Sequence, residues 1–153
     1  MVPPRPTEYL AEWFIRYTKN RDLIFKKISE IKQQENKIIV SQKDGKQVHY
    51  YVEPFPDDFP KLAEAMKEEH KGLIIYNSKE NFDNMIKSWK QLSAIPNLTL
   101  YFVNPFSKIE KRWIINPNVH SKVSDAQSLK EGLNSMYIMV DPISKEEVEE
   151  LTK

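Results

Sequence analysis

The stretch Leu73-Ile74-Ile75-Tyr76-Asn77-Ser78 decides the fold, because it opens the segment from Gly72 to Ser121 around which the chain is organised. Four apolar or aromatic residues end abruptly in two polar ones. Phe82, Met85, Ile86, Trp89 and Leu92 follow at spacings of three and four, the period of a helix with one face on a core. Pro96-Asn97 stops that helix, and Leu98-Thr99-Leu100-Tyr101-Phe102-Val103 begins at once. Strand, helix and strand in such quick succession make a βαβ unit, whose strands lie parallel with a right-handed crossover. Runs that are apolar on both faces belong to strands covered on both sides, so this unit is the centre of a sheet. Lys111-Arg112-Trp113-Ile114-Ile115, between Asn104-Pro105 and Asn116-Pro117, reads as a further strand. Phe82, Met85, Ile86 and Trp89 are expected to be largely buried against the sheet.

Working outward, Ile38-Ile39-Val40 and Val48-His49-Tyr50-Tyr51-Val52 flank Lys43-Asp44-Gly45-Lys46. Asp-Gly between two β-rich runs predicts a hairpin with both central turn residues at positive φ. Pro54, Pro56 and Pro60 then interrupt. Asp58 reads as the cap of a short helix carrying Leu62, Ala63 and Met66, with His70-Lys71-Gly72 as its last turn and C-cap. Near the start, positions 10, 14, 17, 21, 24, 28 and 31 read Leu, Phe, Tyr, Arg, Ile, Ile and Ile, at alternate spacings of four and three. One long or two abutting helices over 7–34 are expected to lay this stripe on the sheet, after a flexible lead over 1–6. A coiled-coil dimer seam is the other reading, and Arg21 at a seam position counts against it.

Downstream, Ser124 and Gln127 form a capping-box pattern before a helix with Leu129, Leu133, Met136, Tyr137 and Val140. Gly132 inside that helix costs about 1 kcal/mol against alanine, which implies close backbone packing there. Ser144 and Glu147 form a second capping pattern before a short acidic helix over 144–153. The prediction is a single α/β domain over 1–153. One mixed sheet (38–42, 47–53, 73–77, 98–103 and 111–115) lies between helices in three α/β/α layers.

Composition narrows the function classes. The 153 residues, 40% hydrophobic, are enough for a real core. Lys plus Arg (23) nearly balance Asp plus Glu (22), so no global field draws the chain to nucleic acid or a membrane. The charge is uneven, however. Asp141, Glu146, Glu147, Glu149 and Glu150 outweigh Lys145 and Lys153 in the last thirteen residues, while Lys19, Arg21, Lys26 and Lys27 cluster near the start. No apolar run approaches a membrane span, and Met1-Val2-Pro3-Pro4 is no signal peptide. The absence of cysteine excludes disulfides and thiolate metal sites and fits a cytoplasmic protein. Three glycines, ten prolines and abundant Ile, Lys and Glu point to a thermophile.

The expected order of elements and two short motifs carry a resemblance. Pro56-Asp57 lies just past the hairpin's second strand, and Asn77-Ser78-Lys79 closes the next one. Over residues 8 to 103 the chain resembles the restriction-endonuclease-like fold of the PD-(D/E)XK nuclease superfamily. There, an acid on one strand and an acid-x-lysine on the next hold a divalent metal beside a phosphodiester. The resemblance implies a metal-dependent nuclease site with Asp57, Lys79 and Glu80 as catalytic residues. Glu53, Asp57 and Glu80 would be the ligands of Mg²⁺ or Mn²⁺, hard cations suited to carboxylate oxygens. Asn77 departs from the pattern by replacing the second acid; Glu80 supplies the missing carboxylate, and Glu53 can stand in for Asp57. The resemblance requires residues 47–53 and 73–77 to be antiparallel neighbours. A parallel crossover through the 59–71 helix would instead mark an unrelated α/β module. Each residue also has a structural reading: Asp57 and Asp58 as helix caps, Asn77 and Glu80 as an N-cap and N3 pair, Lys79 as a solvated lysine.

Other constellations are sparser. His49, His70 and His120 lack metal-ligand spacing; His70 reads as a cation at a helix C-terminus, and His120 as a loop residue at the edge of the last strand. Trp113 reads as core, with base stacking as its functional alternative. The scarcity of glycine excludes backbone phosphate cradles, so no nucleotide cofactor is expected. The function expected is that of a divergent restriction-endonuclease-like protein acting on or binding nucleic acid, through Lys19, Arg21, Lys26 and Lys27. It would be either an active metal-dependent nuclease or an inactive pseudo-nuclease that keeps the fold without the chemistry. The alternative is a non-catalytic interaction or regulatory α/β module of a larger assembly, with a protein partner.

Overall fold

The computed structural model describes residues 4–123 and 125–153. Among them, six strands form one sheet and seven helices cover it. The strands are β1 (Ile28–Gln34), β2 (Lys37–Gln42), β3 (Gln47–Val52), β4 (Lys71–Tyr76), β5 (Leu98–Val103) and β6 (Arg112–Ile115), in that order across the sheet. β1, β2 and β3 form an antiparallel meander, β3, β4 and β5 run parallel, and β6 turns back against β5. The helices are α1 (Arg5–Phe25), α2 (Phe59–Ala65), α3 (Lys79–Lys87), α4 (Trp89–Ser93), α5 (Pro117–Val123), α6 (Ala126–Met139) and α7 (Lys145–Leu151).

β4 is the spine, buried along its whole length. Ile74 and Tyr76 point to one face, where Leu10 and Phe14 of α1, Ile143 and Val148 complete a core. Leu73 and Ile75 point to the other, against Phe59 and Ala63 of α2, Phe82 and Met85 of α3, Leu92 of α4, and Leu133 and Tyr137 of α6. The expected three layers and the parallel pairing of 73–77 with 98–103 are present. Phe82 and Met85 are buried, whereas Ile86 and Trp89 are half-buried, because Ser88 (φ −100°, ψ 9°) breaks the expected single helix into α3 and α4.

Several expectations are corrected. The helix over 7–34 ends at Phe25, and 28–34 is a strand. A register shift between Ile28 and Glu30 puts one extra residue into β1, so Ile28 and Ile31 both pack against the α1-side core. That three-residue spacing imitates a helix in the sequence. Ile24, in the expected stripe, is 85% exposed. Arg5 and Pro6, expected in a flexible lead, are helical, since a proline fits the first turn, and Arg5 Nε donates to the Thr152 carbonyl at 3.0 Å; Met1 to Pro3 lie outside the described residues.

The hairpin loop spans 43–46 and only Gly45 has positive φ, because the β2–β3 ladder begins at Ser41 and Gln47 and leaves a longer loop than a two-residue turn. Asp58 caps α2 as expected, yet α2 stops at Ala65 and His70 is not helical. Gly72 lies in β4, where a β-carbon would come within 2.6 Å of the Tyr50 ring. Asn116-Pro117 starts a helix instead of a loop: Asn116 Oδ1 accepts from the Val119 N–H at 3.2 Å, so His120 sits in α5. Ser124 lies outside the described residues, and Asp125 caps α6, its carboxylate accepting from Ser128 N–H. Gly132 meets nothing within 4 Å, so no close packing explains it.

The two glycines therefore predict opposite outcomes. Gly132→Ala should stabilise the fold by up to about 1 kcal/mol, the helix propensity gained without a clash. Gly72→Ala should destabilise it by roughly 1–3 kcal/mol, the cost of overpacking against a stiff ring. Denaturant unfolding of the two variants checks both signs.

Candidate nucleic-acid interface

β3 and β4 are parallel neighbours joined by the α2 crossover, where the nuclease resemblance required antiparallel ones, and the segments leaving them start from the same end of the sheet. The Glu53 N–H donates to Ile74 O at 3.0 Å, and the Asn81 side-chain amide donates to Pro54 O at 2.9 Å. The side chains of the expected metal site nevertheless serve separate ends. Glu53 is half-buried and accepts from Asn36 Nδ2 at 2.8 Å; burial pushes its carboxyl above the ordinary value. Asp57 is exposed ahead of α2, whose cap is Asp58. Lys79 pairs with Asp83 at 3.0 Å and lies over the Phe82 and Tyr137 rings. Glu80 is exposed in the first turn of α3, which is capped by Ser78 and not by Asn77. Among the described residues, no three acidic or histidine side chains form a group that could hold a metal ion.

Asn77 is fully buried. Its amide donates to the Tyr137 carbonyl at 3.2 Å and the Val140 carbonyl at 3.0 Å, and its Oδ1 accepts from Trp113 Nε1 at 2.8 Å. Trp113 is core, stacked on Phe102 with centroids 4.3 Å apart. A carboxylate at position 77 has no N–H for the two carbonyls, which accounts for an amide at this position.

The basic residues do come together. Lys19, Arg21, Lys26 and Lys27 are all exposed on the last two turns of α1 and the bend into β1. Asp22 sets that bend, its carboxylate accepting from the backbone N–H groups of Lys27 at 2.7 Å and Ile28 at 3.1 Å. Tyr17 is the hub. Trp13 stacks on its ring at 5.0 Å and 11°, Arg21 and Arg112 lie 5.6 and 5.3 Å from its centroid, and its hydroxyl accepts from both guanidinium groups. On one side of this hub a groove of about 290 Å³ is lined by Phe14, Tyr50, Tyr101, Phe25, Arg21 and Lys27. On the other, a second groove holds Trp13, Arg16, Asn20 and Lys111. Lys19 and Lys26 line a third groove with Lys43. Burial pushes the Tyr50 and Tyr101 hydroxyls up, so both stay neutral donors at ordinary pH. Sequence reasoning found the lysines and Arg21 through their clustering, but missed Tyr17, Arg16, Lys111 and Arg112. The last two arrive from the far edge of the sheet.

A second polar cluster had no signal in the sequence. Glu68, between α2 and β4, reaches over β2 and β3. Its Oε1 accepts from Lys37 Nζ at 2.8 Å and from the Tyr51 hydroxyl, with His49 Nδ1 at 3.7 Å. Burial alone would raise the Glu68 carboxyl, but the hydrogen bonds from Lys37 and Tyr51 outweigh it and hold the value at about 2. His49 is shifted down, chiefly by burial and then by the Lys37 charge, which favours the neutral ring. Glu68 lies 17 residues from Tyr51 and 31 from Lys37 in sequence, and only the β2–β3 register, with Lys37 opposite Tyr51, assembles the cluster.

Two outcomes follow from these networks. Asn77→Ala should cost about 3 kcal/mol or more, since it strands two carbonyls and an indole N–H in the core; chemical denaturation reads this directly. Glu68 is depressed from 4.5 in the unfolded chain to about 2. Its ionised form therefore stabilises the fold fully above about pH 4.5, and this contribution is lost as pH falls through about 2. Glu68→Gln should be roughly 1–3 kcal/mol less stable than the parent at neutral pH. In thermal melts over a pH series, that gap should close toward the acid end.

Comparison with known proteins returned no family model, no curated protein and no solved structure that matches this chain.

Proposed function

We propose that the protein is a non-catalytic nucleic-acid-binding module that takes a single strand along the C-terminal half of α1. One observation carries this reading: around Tyr17, cations and aromatic rings alternate over two grooves that share Tyr17 and Arg21. Single strands need that combination, cations that track phosphates and ring faces on which bases stack. Here the exposed Phe25 and the half-buried Trp13 and Tyr50 offer such faces, while Phe14 and Tyr101 are core. Arg16, Arg21, Lys27 and Lys111 supply the charge, while two nearby carboxylates are engaged, Asp22 at the α1–β1 bend and Glu110 with Arg112 at 3.5 Å. A chain of net charge +1 binds phosphates through such a local field. The parallel β3–β4 crossover through α2 is the arrangement of an α/β module unrelated to the restriction-endonuclease-like fold, so the reading rests on the α1 surface alone. The scattered Glu53, Asp57 and Glu80 favour binding over cleavage.

Fluorescence anisotropy with single-stranded and duplex oligonucleotides tests the reading. The single strand should bind more tightly, with affinity falling steeply as salt rises. Arg21→Ala with Lys27→Ala should weaken binding and flatten the salt slope by roughly 0.7 for each phosphate no longer neutralised, while Lys79→Ala changes neither. Affinity that ignores both salt and the α1 substitutions would turn the reading toward a protein partner. Cleavage in Mg²⁺ or Mn²⁺ that Asp57→Ala and Lys79→Ala abolish would replace it with a metal-dependent nuclease.

A further inference from the structure

The two edges of the sheet are finished differently. Beyond β6, the edge is approached by the isolated Glu110–Val140 bridge. β1 pairs with β2 alone, and among the described residues no strand pairs with its outer side. The outward N–H and C=O groups of this seven-residue strand form a template for another strand. Two features say what that strand is. On the α1 face, Leu23, 70% exposed, forms with Ile28 and Ile31 a groove of about 590 Å³ along β1. On the opposite face, Glu30 and Lys32 flank Ile31 and are both exposed, with their charged groups 3.9 Å apart.

We infer that this edge joins a second copy of the chain, β1 against β1 in antiparallel register about a two-fold axis at Ile31. The sequence Glu30-Ile31-Lys32 is self-complementary in that arrangement. Ile31 meets Ile31 of the second copy, and each Glu30 stands opposite the other copy's Lys32, forming two opposite-charge cross-strand pairs. The axis keeps like faces together, so both Ile31 side chains stay on the α1 side, beside both copies of Leu23. Registers centred on Glu30 or on Lys32 keep the faces but set like charges against each other. The result is a closed, isologous dimer in which the two six-stranded sheets become one continuous sheet. The second copy thus covers the open edge and Leu23 together.

Sedimentation equilibrium on the full chain tests this. The parent protein should dimerise. Glu30→Lys and Lys32→Glu should each weaken the dimer roughly tenfold or more, since each turns two attractive pairs into two repulsive ones. The double reversal should restore it, because the pairs are then rebuilt with the signs exchanged. These side chains are exposed, and circular dichroism of each variant verifies that the fold is intact. A parent protein that stays monomeric up to its solubility limit overturns the inference. So does a dimer insensitive to the single reversals, or one that the double reversal fails to rescue.

Discussion

The buried amide of Asn77 is the constraint on which the arrangement around the sheet depends. It sits where the chain leaves β4, with its backbone N–H on Val103 O at 2.8 Å and its carbonyl accepting from Ile143 N–H at 3.0 Å. Its side chain ties together the indole of β6 and the last turn of α6. One residue thus joins the spine of the sheet to β5, to β6, to α6 and to the chain that continues into α7. An amide has a donor group and an acceptor group at fixed geometry, and in the core each unmet one costs more than it contributes when met. All these segments must therefore be in place together.

The change of direction at β3 then positions the surface features. Three antiparallel strands bring Lys37 beside Tyr51, and the parallel step through α2 returns Glu68 over both. α1, at 21 residues, buries only Leu10, Ala11 and Phe14, all in its first half. Its last turns leave Leu23, Ile24 and Phe25 exposed and the cationic residues around Tyr17 facing solvent. The acidic α7 packs near the other end of the same helix, where Arg5 holds Thr152. A nearly neutral chain thereby becomes a molecule with opposite charges at the two ends of one helix. The proposed binding uses the positive one.

Local pattern alone determined much of this protein. The βαβ unit, the hairpin, the Asp58 cap and the Ser144–Glu147 box follow from alternation, helical period and side chains that reach only three residues. Those are short-range effects, so the sequence displays them. The strand at 28–34 escaped because a bulge gave Ile28 and Ile31 the spacing of a helix, and a bulge is visible only against the strand it pairs with. Strand direction was equally hidden: residues 47–53 and 73–77 read the same whether parallel or antiparallel, and the placement of α2 decided it. The roles of Asn77, Glu68 and Tyr17 lie further still from the sequence. Each depends on at least one partner between 17 and 95 residues away, and only the packed structure selects which of many polar side chains meet.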